Sequence, residues 1–195
     1  MNDQSPKAEL TPGEPCRDAP CWWHWWPAVL GPAAMLFTYV AYWRDWDWFL
    51  SKQLHETVAL ALLTGATSAY LAAALRGRNP AHVILTVLAA VFLCREIHFV
   101  GTSPGVYVAL VVLAVWTWQW RRRLIPATAV GRLRPWLFAS ACAYVLAQLV
   151  ARRVFRGMPL EEQLQNPGWL EEAVETMAHI LLLITAFADL FGRRR

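Results

Sequence analysis

A chain of 195 residues with 57% apolar and 16% charged side chains is too greasy for an ordinary soluble domain, which must cover its core with polar groups. The formal net charge of +4 does not point to nucleic acid, because the arginines flank long apolar runs, as topology signals do. The cysteines make no disulfide framework: Cys94 and Cys142 fall inside apolar segments, and Cys16 and Cys21 are spaced C-x4-C with no second pair to complete a zinc knuckle.

Residues 1–26 read as a polar, proline-rich, disordered N-terminal tail ending in a cluster of interfacial tryptophans. A cleavable signal sequence would begin basic and pass straight into an apolar core. Residues 27–191 read as an all-α, polytopic transmembrane bundle, since a spanning helix needs roughly 20 mainly apolar residues. Six spans are predicted, at Pro27–Trp43, His55–Leu75, Pro80–Val100, Pro104–Trp120, Pro135–Val154 and Trp169–Phe191. Several open on proline, whose missing N–H is no loss in a first helical turn. Residues 192–195 form a basic tail.

The arginines orient the bundle. With the N-terminus inside, the inner connections and tail hold ten arginines, among them Arg76, Arg121, Arg122, Arg123 and Arg134, whereas the outer connections hold five basic residues. This bias predicts N-in, C-in topology in a bacterial inner membrane. Arg152, Arg153 and Arg156 dissent from the outer side, either snorkelling from a longer fifth helix or forming a patch for anionic lipid headgroups. The twelve tryptophans fall at predicted helix ends, where indole rings prefer the headgroup level. Trp116, Trp118 and Trp120 mark the inner side, and Trp43, Trp46, Trp48 and Trp169 the outer. In the second span Ala61, Gly65 and Ala69 form a small-residue stripe for close helix packing.

This topology gathers the polar residues on the outer side: Asp45 and Asp47 in the first loop, then His55, Glu56, Arg95, Glu96, His98, Glu171, Glu172, Glu175 and His179. At about 100° per residue, Glu172, Glu175 and His179 share an arc of about 60° on the sixth span. His179 lies about 10 Å of helix rise below Glu172. A polar stripe at that depth must face the bundle interior, where an ionisable residue is a functional candidate. On the third span Arg95 and His98 share a face, whereas Glu96 and His98 stand about 160° apart, so Glu96 is expected to pair with a neighbour instead. The candidate metal ligands are therefore His179, Glu175, Glu172, His55, Glu56 and His98, with Arg95, Glu96, Asp45 and Asp47 as polar or ion-pairing companions. Imidazoles and carboxylates are ordinary ligands for zinc or another divalent ion. Haem is disfavoured, because no two histidines sit level across the bundle. The alternative is structural: Glu171 and Glu172 complement a helix dipole, and Arg95 with Glu175 makes a buried pair that fixes packing, with His179 hydrogen-bonded nearby.

Three runs, HETVALALL from His55, CREIHF from Cys94 and EEAVETMAHILLL from Glu171, resemble elements of small multi-helix proteins of bacterial inner membranes. A remoter resemblance is to the alkaline-ceramidase-like superfamily of membrane zinc hydrolases. RDWDW, from Arg44 to Trp48, is similar to that superfamily's acidic-tryptophan motif, and Glu175-x-x-x-His179 to its terminal H-x-x-x-H, with glutamate for the first histidine. The superfamily's serine–histidine motif and seventh helix are missing.

Two functions follow as expectations. One is a non-enzymatic inner-membrane protein whose outward-facing His/Glu/Arg cluster binds a metal ion or a lipid headgroup. The other is a metal-dependent intramembrane hydrolase of a lipid ester or amide at the outer leaflet. The first is preferred, because no motif meets a demanding catalytic pattern. The partners implied are the bilayer and its anionic headgroups, with no nucleic acid.

Overall fold

The computed structural model describes residues 22–77, 80–97, 102–128, 133–154 and 168–192. Among them the chain is all-α, with six α-helices and no strand. A 3-10 segment, Trp22–Val29, leads into α1, Leu30–Trp43. The others are α2, Lys52–Gly77; α3, Pro80–Glu96; α4, Thr102–Thr128; α5, Leu133–Ala151; and α6, Gly168–Gly192. Among the described residues one helix, Lys52–Gly77, is long and apolar enough by length and composition to cross a membrane.

Most boundaries shift by a few residues, α5 ending at Ala151 rather than Val154, and two shift further. Residues 22–26, read as part of a disordered tail, lie in the 3-10 segment. Trp25 meets Phe138 edge-to-face at 5.2 Å, and Trp26 meets Trp136 at 5.3 Å, so α5 gives this stretch a surface to pack on. The fourth helix runs on to Thr128 rather than stopping at Trp120, so Arg121–Arg123 are helical and not a loop. Arginine and leucine are good helix formers, and no glycine interrupts them. Arg121 and Arg123 also lie over the rings of Trp118 and Trp120, at 4.4 and 5.5 Å.

Helix α6 sits among α1, α2 and α5, while α2 also packs on α3, and α4 packs on α3. The contacts use small residues. Against α6, α2 sets Leu63, Ala66, Ala69 and Tyr70 beside Leu182 and Ala186. Between α5 and α6, Ala139, Ala143, Ala178 and Leu181 are buried together. The packing face of α2 is therefore offset from the expected stripe: Ala69 is buried, whereas Ala61 is exposed. A Cβ on Gly65 would lie 3.4 Å from Leu183. A Cβ on Gly31 would lie 3.4 Å from the Ala143 backbone, so glycine lets α1 close onto α5. The outside stays apolar along the helices, with Leu36, Leu71, Val108, Val111, Val115 and Val145 exposed.

Two helices stop without glycine. Asp45 (φ 53°) and Arg153 (φ 52°) take the left-handed conformation just past α1 and α5. At each, two backbone N–H groups close the last turn: Asp45 to Tyr42 and Trp46 to Ala41, then Arg153 to Val150 and Val154 to Leu149. This is the Schellman arrangement.

Candidate metal centre

Helices α3 and α6 do not pack closely on each other. Long polar side chains bridge them. Arg95, in the last turn of α3, donates from Nη1 to Oε1 of Glu175 at 2.5 Å and from Nη2 to Oε2 at 3.2 Å. This fork-on-carboxylate geometry is the strong form of such a pair. Glu175 is buried, and Arg95 keeps 30% of its side-chain surface.

One turn further along α6, His179 is almost wholly buried, at 1% exposure. Its Nδ1 shares a 2.6 Å hydrogen bond with the Tyr144 hydroxyl of α5. Its Nε2 has no hydrogen-bond partner and lies 4.0 Å from Oε1 of Glu96. Tyr144 is itself held by stacking on Phe92, with ring centroids 4.4 Å apart. One donor atom each from Glu96, Glu175 and His179 come within 4.8 Å of one another.

That trio fits a divalent cation by the chemistry of its donors. An imidazole and two carboxylates suit zinc, whose protein ligands lie at roughly 2.0–2.2 Å. In the Nδ1–H tautomer His179 donates to the Tyr144 oxygen and aims its Nε2 lone pair at the two carboxylates. Orientation of a ligand histidine through its second nitrogen is the usual support for such a site. Each Glu175 oxygen keeps a lone pair beyond the one Arg95 uses. Two carboxylates face one guanidinium here, so an added cation also offsets buried negative charge.

The remaining sequence candidates lie elsewhere. His55 is buried, but both its nitrogens are engaged: Nε2–H donates to the Phe49 carbonyl at 2.8 Å, and Nδ1 lies 3.1 Å from Thr176 Oγ1, whose one proton it shares with the Glu172 carbonyl. It ties the α1–α2 connection to α6. Glu56 is 3.4 Å from Lys52 on the surface of α2. Glu172 is half-buried, and its carbonyl accepts from the Thr176 hydroxyl at 2.7 Å. Asp45 and Asp47 are exposed, and Asp45 serves the α1 stop. His98, Cys16 and Cys21 lie outside the described residues. Glu96, set aside on angular grounds, joins Glu175 and His179, because a long side chain at a helix end reaches around its own axis. Tyr144 was missed. Its signal was available: Ser140, Tyr144 and Gln148 recur at four-residue spacing on an apolar helix, and Ser140 donates to the Ala178 carbonyl at 3.1 Å.

Beside the cluster lies a cavity of about 810 Å³ between α3, α4, α5 and α6. Its long wall is apolar, from Leu88, Phe92, Leu110, Leu137 and Val145, and its polar lining includes Arg95, Gln148, Arg152 and Glu171. Arg95 and Tyr144 line it, whereas Glu96, Glu175 and His179 do not. These two side chains thus stand between the trio and the cavity. Neither a protein family, a curated protein nor a solved structure matches the chain.

Proposed function

We propose that this chain is a polytopic inner-membrane bundle, with both ends cytoplasmic, that binds a divalent metal ion, zinc in the first instance, through Glu96, Glu175 and His179. The observation that carries the metal reading is His179: a buried imidazole whose Nε2 has no hydrogen-bond partner and faces two carboxylates. A buried polar atom left without a partner costs about 1–3 kcal/mol. A bound cation removes that cost.

The membrane reading is supported by the outside of the bundle. Val108, Val111, Val112 and Val115 of α4 are each more than half exposed, as are Leu36 of α1 and Val145 of α5. Apolar surface this extensive needs lipid or a partner to cover it. Aromatic rings gather at both ends. Trp25, Trp26, Trp136 and Phe138 meet at one, and Tyr42 meets Trp169 at the other, as interfacial belts require.

Metal analysis of detergent-purified protein tests the site. Wild type is expected to carry about one metal per chain, and His179→Ala and Glu96→Gln to lose it. Absence of stoichiometric metal from wild type, or its retention in both variants, would sink the proposal. The hydrolase alternative draws on the adjoining cavity, but a metal-bound water would have to reach a substrate past Arg95 and Tyr144. Binding without hydrolysis is the reading this arrangement favours.

A further inference from the structure

The cavity beside the cluster has a chemistry of its own. On α5 it runs from Leu137 to Arg152, which is about 22 Å of helix rise. That length is mainly hydrocarbon, interrupted by Ser140 and Tyr144, whose hydroxyls are already engaged by the Ala178 carbonyl and by His179. The charged lining collects where α3 and α5 end and α6 begins, at Arg95, Arg152 and Glu171, with Gln148 beside it. Tyr107 and Val145 line it while more than half exposed, so it opens sideways between α4 and α5. Arg152 is exposed and takes part in none of the ion pairs among the described residues. Arg95 has used two N–H donors on Glu175 and has three more.

We propose that this cavity binds one phospholipid, with an acyl chain along the apolar wall and the phosphate on Arg152 and the outward N–H groups of Arg95. The inference rests on the membrane reading above, which supplies the lipid, and does not depend on the metal. Charge complementarity selects the occupant: two guanidiniums, Arg95 and Arg152, outnumber the one carboxylate, Glu171, in the lining. A long apolar slot open to one side takes an acyl chain, and a free guanidinium at its polar end pairs with a phosphate oxygen. A neutral lipid of the same chain length fills the slot but leaves the arginine unanswered. Because Arg95 also holds Glu175, the headgroup sits one side chain away from the metal trio.

Native mass spectrometry of the full chain, delipidated in detergent and then offered phosphatidylglycerol or a diacylglycerol with the same acyl chains, tests this. Wild type is expected to retain about one phosphatidylglycerol per chain and to bind diacylglycerol about tenfold more weakly. Arg152→Gln, at an exposed position, should weaken phosphatidylglycerol retention about tenfold and leave diacylglycerol unchanged. Ala141→Trp, which places an indole in the cavity, should abolish retention of both. Equal retention of the two lipids by wild type, or phosphatidylglycerol retention that Arg152→Gln leaves intact, would overturn the proposal whether or not Ala141→Trp folds. Metal content measured on the same samples separates the two readings. Lipid retained without metal defeats the metal centre alone, and metal held without lipid defeats the lipid site alone.

Discussion

Against α2, helix α6 sets Leu182 and Ala186 among Leu63, Ala66 and Ala69, and the polar groups at this interface find neutral partners: the Tyr70 hydroxyl donates to the Leu182 carbonyl at 3.1 Å, 2.6 Å from Thr185 Oγ1, and His55 Nδ1 lies 3.1 Å from Thr176 Oγ1. Against α3, the same helix sets Glu175 and His179 across a gap from Arg95 and Glu96. The first contact is what packing alone requires, small side chains and a satisfied hydroxyl. The second does what packing does not require. Charged groups are kept inside, paired on one side, and left with a histidine nitrogen facing carboxylates. The difference separates the part of the bundle that holds helices together from the part that can hold a ligand.

The sharpest way to break that comparison is to remove one charge. Arg95→Leu leaves the Glu175 carboxylate buried without its partner, and such losses cost about 3–5 kcal/mol, with the lower end expected because Arg95 is partly exposed. The double change Arg95→Leu with Glu175→Leu should recover most of the stability, since two apolar side chains replace the pair. Thermal unfolding in detergent reads both. A double variant as unstable as the single would mean that the pair is part of the packing after all, and the two interfaces would then be alike.

A smaller effect is expected at Tyr144. Tyr144→Phe keeps the stacking on Phe92 but removes the hydroxyl that orients His179, and outer-shell losses of this kind lower metal affinity about 10- to 100-fold. Competitive zinc titration measures it, and an unchanged affinity would mean that Tyr144 does not hold the ligand. Tyr70→Phe is the matched change at the other interface. It should cost about 1 kcal/mol of stability, one hydrogen bond's worth, and leave zinc affinity unaltered. A fall in zinc affinity there would show that the two interfaces are coupled.

The sequence displayed the helices better than it displayed the site. Apolar runs separated by arginine and proline mark the six helices of the described residues, because helix length and hydropathy are written residue by residue. The end of α4 is hidden for the same reason: a run of arginines reads as a loop, though Arg121–Arg123 continue a helix as readily as they end one. The Arg95–Glu175 pair was legible, since both lie at the outer end of predicted spans. Glu96 was not, because angular counting tracks Cα directions and ignores the reach of a glutamate at a helix terminus. His55 shows the opposite failure. A buried histidine beside a carboxylate reads as a ligand, and only the fold brings Phe49 and Thr176 to its two nitrogens. Tyr144 needed a polar period to be read on α5, which apolar patterning hides.

The smallest expected effects lie outside both interfaces and give them a baseline. Asp45 and Arg153 occupy the same left-handed position at the ends of α1 and α5, with the same pair of backbone hydrogen bonds. They are not equal occupants. Aspartate tolerates that conformation through local hydrogen bonding, whereas arginine meets the full clash of its Cβ with the carbonyl oxygen, about 1–2 kcal/mol. Glycine removes the clash but frees the unfolded chain, which cancels part of the gain. Arg153→Gly should therefore stabilise the protein by about 0.5–1 kcal/mol, and Asp45→Gly by less. Unfolding midpoints for the two variants, with zinc and phosphatidylglycerol binding unchanged in both, would place these positions on the structural side of the division. Loss of zinc in Asp45→Gly would instead return Asp45 to the candidates for the site.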